Sequence, residues 1–205
     1  MHTFAGLEAQ IAALSDDIAY NNHDIDDGLR SGLLALEPLL ELPMVGEVFR
    51  RVREKWPDIS RDVLIHEGVR ELIGLMVGDV LEETRRRLDA ARPDTAAQLR
   101  GLDAPVVAFS EEMNLQLAAI RRHLFDNMYR HYKVNRMMGQ AGRVVRDLFD
   151  LFLNDPGLLP TGVRAGAGEA LSLETARLVC DYIAGMTDRS AMEEHRRLFT
   201  VQGYF

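Results

Sequence analysis

Apolar residues along this chain recur at intervals of three and four positions, which is the period of an amphipathic α-helix. One stripe of such residues lies within Leu7–Leu29, and a second lies within Val69–Leu81. Two more lie within Leu117–Met128 and Leu178–Met186. The sequence shows no sustained alternation of apolar and polar residues, and its one short strand-like piece is 106–109. The pattern therefore predicts an all-α protein.

Seven prolines and several serines indicate where the helices begin and end. Proline lacks an amide donor and ends a helix, whereas a serine at the start of a helix accepts a hydrogen bond from a free amide. Ser60 and Ser110 precede two helical runs, and Ser190 with Glu193 fits a capping box. We predict six or seven helices, at about 4–35, 44–55, 61–91, 111–130, 133–154, 171–186 and 190–199. We expect one all-helical domain over residues 1–205, with residues 156–168 as a surface loop.

The composition changes this picture little. The chain has 205 residues, of which 47% are hydrophobic and 27% are charged, as in a soluble globular protein. No apolar run reaches about eighteen residues, and residues 1–10 contain neither a basic region nor an apolar core, so we predict no membrane span and no signal peptide. A single cysteine fits a reducing cytoplasm, so we predict a cytoplasmic location. The single cysteine, Cys180, excludes an internal disulfide, and its place in the fourth stripe predicts a buried thiol. The formal net charge of −8 argues against nonspecific coating of nucleic acid.

The most unusual segment is Ser15–Gly28, which has five aspartates within twelve residues. On a helix, one face of this segment presents carboxylates, a phenol and an imidazole in a row about 16 Å long. The row consists of Asp16, Tyr20, His23 and Asp27, with Asp24 a little to one side. One interpretation is a solvated helix face. The other is a set of oxygen ligands retained for a divalent cation, since short acidic residues repel one another and are poor helix formers.

The sequence LEAQIAALSDDIAYNNHDIDDGLRSG (Leu7–Gly32) resembles a helix of the dGTPase-like deoxynucleoside triphosphate triphosphohydrolases of the HD superfamily. That helix supplies the last ligand of the family's H…HD…D metal site. The resemblance implies that Asp16 is a metal ligand, that Tyr20 contacts the nucleotide sugar, and that Asp24 lies near the substrate. The pair His23-Asp24 is not the HD motif, because that motif needs an upstream histidine one helix away and only His2 precedes the pair. Further blocks resemble the family in the same order: Arg61–Val80, Pro105–Phe109, Met128–Val134 and Asp181–Leu198.

The same resemblance implies that the chain is the C-terminal half of such a protein, truncated at its N-terminus. The family's first histidine and its His-Asp pair would lie upstream of Leu7. We therefore expect a divalent metal (Mg, Mn or another transition metal) that this chain does not fully coordinate. A fragment, a gene whose start was placed late and a short paralogue that lost catalysis all fit this expectation.

A basic segment at residues 121–146 contains six arginines and Lys133 against one acid, Asp126. If the helix continued, Arg122, Asp126, Tyr129, Lys133 and Arg136 would share one face. This face is either solvated or an anion site, in which Arg122, Tyr129 and Lys133 are candidates to contact a triphosphate or single-stranded nucleic acid. Arg61, His66 and Arg70 form a second candidate set for phosphate contact, and the alternative is a half-exposed helix surface.

The function implied by the resemblance is metal-dependent hydrolysis of a dNTP, typically dGTP, to a deoxynucleoside and tripolyphosphate. We expect the chain to be inactive alone, because one carboxylate does not replace the missing ligands. We also expect a homo-oligomer, since removing half of an all-α domain exposes apolar helix faces. The competing hypothesis is a non-catalytic helical interaction or regulatory module.

Overall fold

Helices account for all of the regular structure in residues 3–200, which are the residues described by the computed structural model. Those residues contain no strand, so the predicted all-α class is confirmed. Besides ten α-helices, the same residues form a π-helix at Phe125–Tyr129 and a 3-10 helix at Pro156–Leu158. The α-helices are α1 (Leu7–Arg30), α2 (Leu36–Leu40), α3 (Pro43–Lys55), α4 (Arg61–Ala91), α5 (Ala96–Arg100), α6 (Glu111–Leu124), α7 (Tyr132–Asn154), α8 (Thr161–Arg164), α9 (Leu173–Ala184) and α10 (Asp188–Phe199).

Seven of the observed α-helices match the predicted ones apart from their ends, whereas the short helices α2, α5 and α8 were not predicted. The predicted helix 4–35 is shorter in the structure, since α1 begins at Leu7 and ends at Arg30, and Gly32 in the turn that follows has a φ of 71° that favours glycine. The capping box at Ser190 is wrong. The hydroxyl of Thr187 instead accepts a hydrogen bond from the Ser190 amide at 3.2 Å, so α10 begins earlier than predicted. Segment 156–168 contains the 3-10 helix and α8, and it is not a loop throughout.

The chain divides into two compact units, Met1–His131 and Tyr132–Phe205. Helices α1 to α6 belong to the first unit, and helices α7 to α10 belong to the second. A single domain over residues 1–205 stays a prediction, and it includes residues 1–2 and 201–205, which lie outside the described residues.

The core of the first unit forms where α4 packs against α1 and α3. Ile25 of α1, Phe49 of α3 and Leu72 of α4 are fully buried there. The Phe49 ring lies against Gly68 of α4, where an added Cβ would stand 2.5 Å from the ring. Glycine thus allows α3 and α4 to approach closely, as expected where two helices cross.

Several members of the predicted apolar stripes lie on the surface instead of in the core. Ile11 of α1 is 51% exposed, and Val77 and Leu81 of α4 are also exposed. Their faces are left uncovered by the neighbouring helices, which a periodicity argument does not reveal because it reports only which residues share a face.

The second unit has its own core, formed chiefly by α7 and α9. Leu148 and Phe152 of α7 are fully buried there, as is Val179 of α9. The prediction of a buried Cys180 is wrong, since its neighbour Val179 takes the buried position and the thiol is exposed. His195 of α10 lies 2.7 Å from the Asp147 carboxylate, and this pair ties α10 to α7.

Glu83 of α4 is a buried carboxylate that accepts hydrogen bonds from Arg86 and Arg87 at 2.7 Å. These bonds, that from Arg86 first, lower the pKa of Glu83 from 4.5 to about 2. A lowered folded pKa adds stability that is present above pH 4.5 and is lost as the pH falls towards 2. We expect Glu83→Gln to lower the free energy of unfolding near neutral pH by about 1 kcal/mol.

Urea denaturation at several pH values measures this effect. The difference in the free energy of unfolding between Glu83→Gln and the unmodified chain should become smaller as the pH is lowered from 4.5 towards 2. The exposed neighbour Glu82 is the matched control, and Glu82→Gln should show no such narrowing. A gap for Glu83→Gln that stayed constant with pH would contradict the linkage.

Candidate functional site

The acidic row predicted on α1 lies on the solvent side of that helix. Asp16, Tyr20, His23 and Asp27 are all exposed, and Asp24 is half-buried beside them. Tyr20 is 58% exposed although it is aromatic. The row is a continuous polar surface about 16 Å long, and the Tyr20 phenol within it is exposed to solvent. Such a surface is suited to contact a polar ligand.

The opposite face of α1 carries the first apolar stripe, but it also buries two polar residues. Asn21 and Asn22 are buried there, with Asn22 fully so. The Asn22 amide donates to the Ile18 carbonyl at 2.8 Å and approaches the Met76 sulfur at 3.1 Å. Both asparagines lie three or four residues from Ile18 and Ile25, and this helical spacing is the sequence signal from which their burial could have been predicted.

An arginine of α6 fixes the acidic helix in place. Arg121 lies 3.3 Å from the Asp17 carboxylate and donates to Asn21 Oδ1 at 3.3 Å. The sequence did not select Arg121 as a site residue. Its contacts show that one member of the basic segment neutralises a neighbour of Asp16 and is not left for a ligand.

Three of the predicted site residues meet where α1 faces the π-helix. The Tyr129 hydroxyl donates a hydrogen bond to Oδ2 of Asp24, and Tyr20 is a near neighbour of the same phenol. Burial, followed by the hydrogen bond to Asp24 and the neighbouring Tyr20, raises the pKa of Tyr129 well above its ordinary value of 10.0. The phenol is therefore a protonated donor at neutral pH, and it is held against the carboxylate.

The face predicted for the basic segment does not exist as a continuous helical face. The α-helix ends at Leu124, the π-helix follows, and neither Arg130 nor His131 is helical. Arg122 is exposed on α6. Lys133 is exposed on α7 in the second compact unit. The π-turn changes the rotation of the following residues, so helical spacing no longer predicts a shared face for Arg122, Tyr129 and Lys133.

The other three phosphate candidates lie on α4 and point to different surroundings. Arg61 donates to the Leu29 carbonyl at 3.2 Å and lines a cavity of about 760 Å³ together with Arg53 and Glu37. Leu29 is thirteen residues from Asp16 along α1, which corresponds to about 20 Å.

His66 and Arg70 have simpler surroundings on the same helix. His66 is exposed. Arg70 pairs with Glu67 at 2.9 Å and with Glu71 at 2.7 Å, both on its own helix. These ion pairs are those of a solvated helix face, so no contact supports a phosphate role for His66 or Arg70.

The metal donors that the described residues bring together do not complete a site. Among residues 3–200, no group of three or more His, Cys, Asp or Glu side chains is placed to hold a metal ion. Asp16 offers one exposed carboxylate, which is a ligand that hard divalent cations accept. Asp16 thus fits the role of one ligand, but this part of the chain does not make up a set.

Sequence relatives decide what kind of protein this is. The chain is 55% identical over 197 residues to a deoxyguanosinetriphosphate triphosphohydrolase-like protein of Parvibaculum lavamentivorans, covering 96% of this chain and 50% of that one. Proteins of the same description from Caulobacter sp. strain K31 and Caulobacter vibrioides are each 48% identical over 97% and 96% of this chain, and half of their own length is covered. The chain is thus similar over nearly its whole length to dGTP triphosphohydrolase-like proteins.

The dGTP triphosphohydrolase-like resemblance found in α1 is thus confirmed, and the chain spans about half the length of the curated relatives it matches. A family model described as the phosphohydrolase-associated domain matches residues 107–197. That segment begins before the π-helix and includes α7 and α9, so it takes in parts of both compact units. None of the helices in the described residues is long and apolar enough to span a membrane.

Proposed function

We propose that this chain is the C-terminal half of a metal-dependent triphosphohydrolase that converts a dNTP, of which dGTP is the first candidate, into a deoxynucleoside and tripolyphosphate. The observation that carries the proposal is the exposed row on α1, in a chain that is 55% identical to a dGTP triphosphohydrolase-like protein. Asp16, Tyr20 and Asp24 are the residues of that row to which we give roles.

In this proposal, Asp16 supplies one carboxylate ligand to a divalent metal whose other ligands lie outside this chain. The metal, when bound, supplies Lewis-acid chemistry at the phosphate. Tyr20 extends its exposed phenol towards the sugar, and Asp24 offers a carboxylate acceptor beside it. These two residues would bind and orient the nucleotide, so that the phosphate chain is held at the Asp16 end of the row.

We propose fewer residues as phosphate contacts than the sequence analysis suggested. Arg122 and Lys133 are exposed cations and keep that role as candidates, either for triphosphate or for single-stranded nucleic acid. Arg61 keeps it only at the cavity beyond the end of α1, away from Asp16. The exposed apolar residues Val77, Leu81 and Leu115 support the proposal that the chain forms a homo-oligomer.

A chimera tests the proposed function, in which this chain replaces the matching half of the Parvibaculum lavamentivorans relative. We expect the purified chimera with Mn²⁺ to release tripolyphosphate from dGTP, measured by ion chromatography, and the chain alone to release none above background. The physical reason is that the chimera restores the missing metal ligands. The intact relative is the positive control.

A folded chimera without activity, beside an active relative, would overturn the proposal and favour a non-catalytic helical interaction or regulatory module. Release of tripolyphosphate by this chain alone would contradict the proposal that activity depends on the other half of the protein. Circular dichroism of both proteins shows whether each variant is folded, so that inactivity is not confused with unfolding.

A further inference from the structure

A groove with a volume of about 520 Å³ lies between α3, α4 and α6 of the first compact unit. Gly74 and Gly78 of α4 line it, and a Cβ added at either glycine would meet nothing within 4 Å. Met44 of α3 and Met113 of α6 line it from the two neighbouring helices. Glycines one turn apart let another helix approach closely, and methionine side chains adapt to the shape of what packs against them. The groove is therefore suited to receive a helix.

The same groove is strongly acidic. Glu47, Asp79, Glu82 and Glu112 line it, and none of the described residues that line it is a lysine, an arginine or a histidine. The Asp79 carboxylate accepts hydrogen bonds from the amide and the hydroxyl of Ser110, at 2.8 and 2.6 Å. Glu82 and Glu112 form no ion pair within residues 3–200. This acidic groove thus favours a partner that is apolar and positively charged.

The second compact unit carries a helix face of that kind on α7. Met138 is 63% exposed and Val145 is 49% exposed, although both are apolar. On a helix, Gly139 and Arg146 lie within about 120° of these two residues. A Cβ added at Gly139 would meet nothing within 4 Å, and residues 127–146 contain no aspartate or glutamate. This basic α7 face therefore has the charge and the small residue that the acidic groove calls for.

We infer that the acidic groove of one copy of this chain binds the basic α7 face of a second copy. The inference rests on the homo-oligomer of the proposed function and deepens it by naming the two surfaces. Two acidic grooves repel each other, as do two basic faces, whereas a groove and a face attract. Because two different surfaces meet, the contact is head-to-tail, and it builds a ring or a longer assembly instead of a two-fold dimer.

Charge reversal on each surface tests this contact in the purified full chain, by gel filtration with light scattering. One variant combines Glu47→Arg with Glu112→Arg, and the other combines Arg143→Glu with Arg146→Glu, two exposed arginines of α7. We expect each variant alone to associate at least about a hundredfold more weakly than the unmodified chain, because its two surfaces then carry like charge. Mixing the two variants should restore association, since each surface again meets its opposite.

The matched control for the groove combines Glu54→Arg with Glu111→Arg. Both glutamates are exposed on α3 and α6 but do not line the groove, so association should be unchanged. Gly78→Leu tests the groove without a change of charge. Leucine is the better helix former and has open space at this position, so the chain should fold at least as well, while association should weaken at least about tenfold.

A monomeric unmodified chain would overturn both the inference and the homo-oligomer. Association that survived either charge-reversal variant or Gly78→Leu would overturn the inference alone, as would a mixture of the two charge-reversal variants that stayed monomeric with both folded by circular dichroism. These measurements use no substrate. An inactive chimera would therefore count against the proposed hydrolysis and not against this contact.

Discussion

Replacing Asp16 by asparagine is expected to reduce release of tripolyphosphate by the chimera by about a thousandfold or more, because a metal ligand stabilises the transition state by several kcal/mol. Asparagine keeps the size and the polarity of the side chain but removes the negative charge that binds a hard cation. Asp16 is exposed, so the substitution should leave the thermal unfolding midpoint unchanged. The rate is measured with saturating dGTP and Mn²⁺.

The neighbouring carboxylate provides the matched control. Asp17 pairs with Arg121 at 3.3 Å, and both side chains are about half exposed. Asp17→Asn should therefore change the rate by only a few fold, through a small displacement of α1. Equal losses in the two variants would show that general negative charge matters here, and that Asp16 is not the metal ligand.

Phe49→Ala is expected to lower the free energy of unfolding by about 3 to 5 kcal/mol, the cost of an unfilled cavity in a buried core. Phe49 is fully buried between α3 and α4, with its ring against Gly68. Urea denaturation followed by circular dichroism measures the change. The exposed Phe4, at 37% exposure, is the control, and Phe4→Ala should cost less than about 1 kcal/mol.

Gly68→Ala tests the same contact from the other helix. In the unmodified chain, an alanine Cβ would stand 2.5 Å from the Phe49 ring, so we expect a loss of about 1 to 2 kcal/mol. In the Phe49→Ala background, the same substitution should stabilise, because the clash is gone and alanine is the better helix former. Gly74→Ala on α4, with nothing within 4 Å, should stabilise in both backgrounds. A destabilising Gly68→Ala in both backgrounds would mean that Phe49 is not the obstacle.

The helices themselves were determined by local chemistry that the sequence displays. Ser60 and Ser110 begin α4 and α6 because a serine hydroxyl accepts a hydrogen bond from a nearby amide, and that contact needs no tertiary partner. The exposed row on α1 was likewise predictable, since helical period alone decides which residues share a face. The motif in α1 also indicated the family, which the relatives confirm.

Tertiary structure decided what these faces contact. The sequence placed Tyr129 with Arg122 and Lys133 because it assumed an unbroken helix, whereas packing stabilises a π-turn that brings the phenol to Asp24. Cys180 was predicted as buried from its stripe, but the surface that α9 buries is set by α7 and passes through Val179. The period of a helix fixes the direction in which each side chain projects from its axis. Only packing against a second helix decides which of those directions is buried. The sequence by itself therefore determined the seven longer α-helices, the family resemblance and the acidic row. The fold decided which members of that row are held, by which partners and on which side.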